Sequence, residues 1–443
     1  MSNVNNLSGL SASISGGAYD NAFAALYPGR GAPECRERFL SLIDLCGRNA
    51  VGRVVIVSAP GRAEICGNHT DHQRGKVLAA AVDQDIICVA ATNGSNRIRV
   101  KSVGFPGEVD VSLDDTGVRD SERGSDAALI RGLAAWFKAR GAGIEGFDAY
   151  TTSNVPVGSG LSSSAAFEVV IGTAMNVLFG SGFSQLDIAI AGKFAENEYF
   201  GKPSGLMDQT ASSVGGFVSI DFADPQNPIV EPIRYDPSES GLSLCVVHTK
   251  GSHANLIDEY ASIPEEMRAV SSFFGKNYLR EVNEAEFYAN VSAIRDRLRG
   301  LQAGDQRGVA ADRSILRAIH FFNENRRVAE AAEALRAADA GRFLDCVARS
   351  GQSSFTYLQN IYTASNPGEQ GLSLALALSE SVLGGTGGAW RVHGGGFAGT
   401  IMAFVPDALH EKYVKTLGAV FGDDAVITLS IRKYGGVEVT PDI

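Results

Sequence analysis

The chain is 443 residues long, 44% hydrophobic, and carries a formal charge of −11. That length exceeds one small domain and that apolar content can fill substantial cores, so two domains are the expectation and overall disorder is excluded. The acidic balance, with no local run of Lys and Arg, argues against a nucleic-acid partner, and no apolar run reaches membrane-spanning length, which leaves a soluble protein acting on small molecules, with the cytoplasm as default location.

Residues 1–17, rich in Ser, Asn and Gly, read as a mobile or loosely attached lead-in. The six cysteines, at 35, 46, 66, 88, 245 and 346, form no CxxC pair and read as buried reduced thiols. A strand is predicted over Arg53–Ser58, followed by a Pro60-Gly61 turn into a polar cluster of Arg62, Glu64, Asn68, His69, Asp71 and His72. Donors and acceptors packed so densely suit a polyhydroxylated ligand, while the plain alternative is a surface turn or a helix cap formed by Asn68, Thr70 or Asp71.

Strands over Ile86–Thr92 and Phe147–Thr152 precede the segment Asn154–Ala166, in which Gly158, Ser159, Gly160, Leu161, Ser162, Ser163 and Ser164 run into an apolar helix ending near Phe179. Glycines allow close approach to an anion, and the helix start offers unpaired N–H groups. No lysine follows the glycines, so the Walker pattern is absent; a flexible Gly/Ser connection is the alternative, weakened by the helix that follows at once.

Within Phe194–Thr210, Glu196 falls on a helix and Asp208 lies beyond a Pro-Ser-Gly turn. Asp208, if paired with Arg62, would stay ionised and accept a proton from a substrate hydroxyl; as a helix cap it would do neither, and the residues alone weigh the two evenly. Glu196 is an ordinary helix-surface carboxylate or, beside a nucleotide, a magnesium ligand.

A strand over Phe217–Phe222 leads to Asp224–Pro228, where two prolines suggest a boundary between domains at 18–228 and 229–443. Strands at Leu244–Thr249, Ile401–Val405 and Val426–Ile431 enclose a helical block over Glu281–Leu344, and a third glycine cluster spans Arg391–Thr400. Strands and helices that do not strictly alternate indicate an α+β fold.

Taken together, Ser58–His72, Pro156–Ala165, Gly205-Leu-Met-Asp-Gln209 and Gly394–Gly399 resemble, in order, the motifs of the GHMP small-molecule kinases, and among them the galactokinases. The resemblance implies a two-domain GHMP kinase fold, each domain a mixed or antiparallel sheet with helices, and an active site in the cleft between them. It implies an ATP-dependent sugar 1-kinase that passes the γ-phosphate of ATP to the anomeric hydroxyl of galactose, with Mg2+. By that likeness Asp208 is the catalytic carboxylate and Arg62 its charged neighbour. Glu64, Asn68, His69, Asp71, Gly205 and Tyr260 belong to the sugar pocket, the backbone from Gly158 to Ser164 wraps the phosphates, and Ser164 and Glu196 hold the metal. Sugar and ATP are the implied partners; no feature points to an oligomeric state.

The chain departs from the family at two positions. Galactokinases usually carry asparagine two residues after the motif arginine and glutamate just before the histidine; here these are Glu64 and Asn68. The family's glutamate is associated with the group at carbon 6, and an asparagine there would tolerate a carboxylate that a glutamate repels by roughly 4 kcal/mol at 4 Å. The ending Asp71-His72-Gln73 also resembles galacturonate kinases, so a galacturonokinase is the close alternative. More remote readings are a metal enzyme built on His69, Asp71 and His72, and a non-catalytic sugar sensor, the latter disfavoured by the intact Ser162–Ala165 run.

Overall fold

A computed structural model describes residues 7–47, 52–156, 158–251, 256–303 and 310–443. Its spine is a pair of long antiparallel strands, β1 (Val54–Cys66) and β2 (Lys76–Thr92). Both are buried nearly end to end, which accounts for their runs of Val, Ile and Ala in place of alternation. The expected strand at Arg53–Ser58 therefore does not end in a Pro-Gly turn. It continues, with a register shift between Pro60 and Arg62 that absorbs the proline's missing N–H. Gly61 is required there because a Cβ would come within 2.7 Å of the Leu161 carbonyl oxygen.

Around the spine lie β3 (Arg97–Ser102), β4 (Val109–Ser112), β5 (Phe147–Ser153), β6 (Phe217–Asp221) and β7 (Ile229–Ile233). The last half of β2 pairs with β5 and its first half with β6, so one long strand serves two neighbours. A second sheet of four strands contains β8 (Leu242–His248), β9 (Ala389–His393), β10 (Thr400–Pro406) and β11 (Val426–Leu429), in the order β11-β8-β10-β9 and antiparallel throughout. The chain then returns: β12 (Val437–Glu438) pairs with β1 and, among the described residues, completes an eight-stranded mixed sheet in which only β3 and β5 run parallel.

Residues 7–15 form a helix, α1, whose Leu10 and Ile14, four apart on one face, are buried against Phe23 and Phe39. The loose lead-in expected to Gly17 is thus overturned from residue 7 onward, because two apolar side chains at helical spacing suffice to dock a Ser-rich segment; residues 1–6 lie outside the described residues. Helices α2 (Asp20–Leu26) and α3 (Ala32–Cys46) complete this layer, and α4 (Asp126–Ala139) and α5 (Ser163–Phe179) pack on the larger sheet through Leu133, Phe137, Val169 and Val170. Helices α6 (Gln185–Phe194) and α7 (Met207–Val214) follow.

The expected helical block resolves into α9 (Glu284–Ala289), α10 (Val291–Ala303), α11 (Ala311–Arg336) and α12 (Ala340–Ser353), after α8 (Ile257–Phe273); its residues 304–309 lie outside the described residues. Helices α13 (Gly371–Leu383) and α14 (His410–Phe421) cover the smaller sheet. The prolines at 225 and 228 fall in the turn between β6 and β7, which pair with each other, so a boundary at 228 would cut a hairpin. The chain passes from one sheet to the other between Ile233 and Leu242, and there we propose to divide it. All six cysteines are free and buried.

Candidate active site

The bulge in β1 aims Arg62 at the start of α7. Its Nε donates to Asp208 Oδ1 at 2.7 Å, its guanidinium also donates to the Gly160 carbonyl, and the Ser162 hydroxyl donates to Asp208 Oδ2. Asp208 is the second residue of α7, whose cap position is Leu206 without a side-chain bond, so the carboxylate is not the helix cap. Burial pushes the Asp208 carboxyl up, but the Arg62 charge and the bonds from Arg62 and Ser162 outweigh it and hold the group below the usual carboxylate range. With its side chain 31% open, Asp208 remains reachable.

The glycine loop is shaped for close approach. Gly158, Gly160 and Ser162 all have positive φ, and a Cβ on Gly160 would meet the His393 ring and Thr400 hydroxyl at 2.9 Å. Ser159 and Leu161 turn inward: Ser159 donates to the Pro156 carbonyl, and Leu161 is buried while its carbonyl accepts the Arg62 N–H. Val157 of the quoted motif lies outside the described residues. Ser163 and Ser164 open α5 and edge a cavity of about 400 Å3 whose walls include Leu129, Val155, Phe167 and Phe200. That cavity has no local sequence signature, because its walls come from segments up to about a hundred residues apart.

Glu64 and Asn68 are placed otherwise than direct sugar contact requires. Asn68 is 1% exposed and engaged on both ends of its amide: Nδ2 donates to Glu64 Oε1 and the Gly394 carbonyl, both at 2.8 Å, while Oδ1 accepts from Asn360 at 2.8 Å. Glu64 is ion-paired with fully buried Arg391 at 2.9 Å, and its N–H donates to His393 Nε2 at 3.2 Å. The two exchanged residues are therefore bonded to each other, and the acid and amide occupy one shared place. Burial holds His393 well below its ordinary value and neutral, as the acceptor role of Nε2 needs.

From the other side, α11 grips the backbone of the same segment. His320 Nε2 bonds the Asn68 carbonyl at 2.8 Å, Glu324 accepts the Gly67 N–H at 2.8 Å, and Asn325 accepts the Lys76 N–H at 2.7 Å. Arg391, His393, His320 and Asn360 were not singled out from sequence. Arg391 and His393, spaced two apart before three glycines on a strand, gave the one usable signal, since such residues share a face.

His69 adopts a left-handed backbone and bonds the Gly395 carbonyl at 2.9 Å. Asp71 lies against Gly205, where any Cβ would collide with its Oδ2, and burial raises its carboxyl above the ordinary value. The Tyr260 hydroxyl donates to the Gly396 carbonyl at 2.9 Å and its ring stands edge-on to Phe397 at 5.5 Å; a Cβ on Gly395 would come 2.6 Å from that ring. Residues 252–255 of the segment leading to Tyr260 lie outside the described residues.

Glu196 sits in a π-helical turn, Ala195–Phe200, that extends α6. Its Oε2 accepts from Gln209 Nε2 at 2.9 Å and its Oε1 faces Lys202 Nζ at 2.7 Å. Gln209 also donates to Glu168, which burial and then the Glu196 charge hold well above the carboxylate range. Among the described residues no three His, Cys, Asp or Glu side chains converge on a metal position, so the grouping of His69, Asp71 and His72 as a metal centre has no geometry behind it. Nor is any described helix long and apolar enough to cross a membrane.

Comparison with known proteins agrees with this geometry. Residues 128–216 match the family model for the GHMP kinases N-terminal domain, and residues 46–92 match the galactokinase galactose-binding signature. A galactokinase of Actinobacillus pleuropneumoniae serotype 3 is 31% identical over 352 residues, spanning 79% of this chain and 85% of that protein. The Lactococcus lactis galactokinase crystallised with galactose superposes with a TM-score of 0.72 at 21% identity, covering 91% of this chain and 100% of that one. The Methanococcus jannaschii mevalonate kinase gives 0.60 at 13% identity over 86% of this chain and 99% of its own, a likeness of fold.

Proposed function

The chain belongs to the galactokinase family of the GHMP kinases, and from that premise we propose that it transfers the γ-phosphoryl group of ATP to the anomeric hydroxyl of galactose, releasing ADP and galactose 1-phosphate. It is a phosphotransferase; the sugar, the products and the residue roles are our reading. The observation that carries it is the contact of Asp208 with both Arg62 and Ser162, which joins the polar motif to the glycine loop at one reachable carboxylate.

Asp208, ionised at neutral pH, orients the sugar hydroxyl and takes its proton as the oxygen attacks phosphorus. Arg62 keeps that carboxylate charged and, from beside Gly160, stabilises the negative charge spread over the transferring group. Loop N–H groups between Gly158 and Ser164 hold the phosphates, and the apolar cavity beside Ser163 and Ser164 takes the adenine. His69, Asp71, Gly205 and Tyr260 line the sugar side. Glu196 and Ser164, both hard oxygen donors, would hold a magnesium ion, which when bound would neutralise developing charge.

Glu64 and Asn68 act one layer back, through the glycine cluster they brace. Because the acid and amide have exchanged within one bonded pair, the exchange leaves a carboxylate in place and gives no reason to prefer galacturonate. Purified protein incubated with ATP and either galactose or galacturonate, with ADP release and 31P NMR of the product, tests the proposal. A sugar 1-phosphate from galactose is expected; turnover of galacturonate alone would replace it with the uronate reading.

A further inference from the structure

The carboxylate that fits magnesium already faces a cation. Lys202 Nζ lies 2.7 Å from Glu196 Oε1, and Glu196 is almost fully buried while the Lys202 side chain is 58% exposed. A carboxylate so enclosed is costly without a counter-charge. The lysine's backbone is pinned: its N–H donates to the Glu196 carbonyl at 3.1 Å, and Pro203 restricts the residue before it. Its four-carbon side chain is not pinned, and an ammonium on such a stem moves without disturbing the backbone.

Neighbouring groups give the lysine somewhere to go. Gln209 ties Glu196 to Glu168, and the next residue back in the chain is Asp208, where the Lys202 charge is felt alongside that of Arg62. A divalent cation arriving with nucleotide would meet the ammonium at the same carboxylate oxygen. Two cations repel there, and the mobile one yields.

We propose that Lys202 is a resident counter-cation, holding Glu196 in the nucleotide-free protein and turning to the phosphate oxygens when a nucleotide-bound divalent cation takes that carboxylate. This rests on the kinase reading of the site. Lys202 is then a competitor of the metal at Glu196 and a second positive group, after Arg62, for the phosphates.

The test uses the full chain and Mn2+ alone, titrated without nucleotide and followed by the EPR signal of the free ion. Lys202→Met is expected to bind Mn2+ at least about tenfold more tightly than wild type, and Lys202→Arg, which keeps the charge, to stay within about twofold. Lys202→Met combined with Glu196→Gln should lose the gain. Equal Mn2+ affinity in wild type and Lys202→Met would overturn the proposal. In steady state, Lys202→Met should raise the KM for ATP about fivefold and leave the KM for sugar unchanged; an unchanged KM for ATP overturns the movement to phosphate. Failure of the kinase reading would show instead as no ADP release from wild type with any sugar, whatever the Mn2+ titration gives.

Discussion

Two charge pairs stand two residues apart on β1 and work in opposite ways. Arg62 meets Asp208, whose carboxylate is 31% open, whereas Glu64 meets Arg391, which is wholly buried behind it. The open pair keeps a carboxylate charged and reachable. The closed pair is buried and serves as mortar between β1, β9 and the glycine cluster. One strand thus presents an open ion pair at one position and fastens the second sheet at another, and likeness of residue type does not tell the two apart.

The sharpest way to break this contrast is to remove the hidden partner. Arg391→Met leaves the Glu64 carboxylate buried without its counter-charge and should cost about 3–5 kcal/mol of stability in urea unfolding, partly recovered by adding Glu64→Gln. Arg62→Met should cost far less stability and far more turnover. On the open side, Asp208→Ala should raise the barrier by about 3–4 kcal/mol, a hundredfold or more in kcat, while galactose binding by calorimetry changes little. Full activity in this variant would remove Asp208 from the reaction.

Exchanging the pair sharpens the contrast further. Asn68→Ala takes one hydrogen bond each from Glu64, Asn360 and the Gly394 carbonyl, leaves Glu64 its Arg391 partner, and should cost roughly 1–3 kcal/mol. The double exchange Glu64→Asn with Asn68→Glu should recover most of what either single change loses, in stability and in the ratio of galactose to galacturonate turnover. A large shift of that ratio in the double variant would make Asn68 a direct sugar contact.

A further effect is one of pH. Burial lowers the His320 pKa from 6.5 to about 3, so between those values the unfolded chain binds the extra proton. Its contribution to stability is present in full above about pH 6.5 and is lost as the pH falls toward 3, a slope that His320→Gln should flatten. Asp208, held below the usual carboxylate range, should add no activity loss between pH 5 and 8.

Much of the open region was legible in the sequence. Arg62, the glycine loop and Asp208 each sit in a local pattern, and their order along the chain carries the family resemblance. What escaped reading was the mortar: Arg391, His393 and His320 reach Glu64 and Asn68 across some 250 to 330 residues, and no local spacing encodes such a contact. The same holds for Asn68 itself, whose type suited a sugar but whose amide is used up by Glu64, Gly394 and Asn360. At residues 7–15, composition misled because Leu10 and Ile14 were outnumbered by serine; spacing outweighed abundance.

The short strand β12 carries a consequence for synthesis. Residues 437 and 438 pair with Ser58 and Val57, and Arg432 bonds Asp85 at 3.0 Å inside the larger sheet. A nascent chain that has already delivered both glycine-loop and polar motifs to the outside of the ribosome still lacks the edge and a counter-ion of its first sheet, and must wait for about 270 further residues to receive them. The larger sheet is begun early in translation and completed last, so this stretch of waiting is where a chaperone has most to protect.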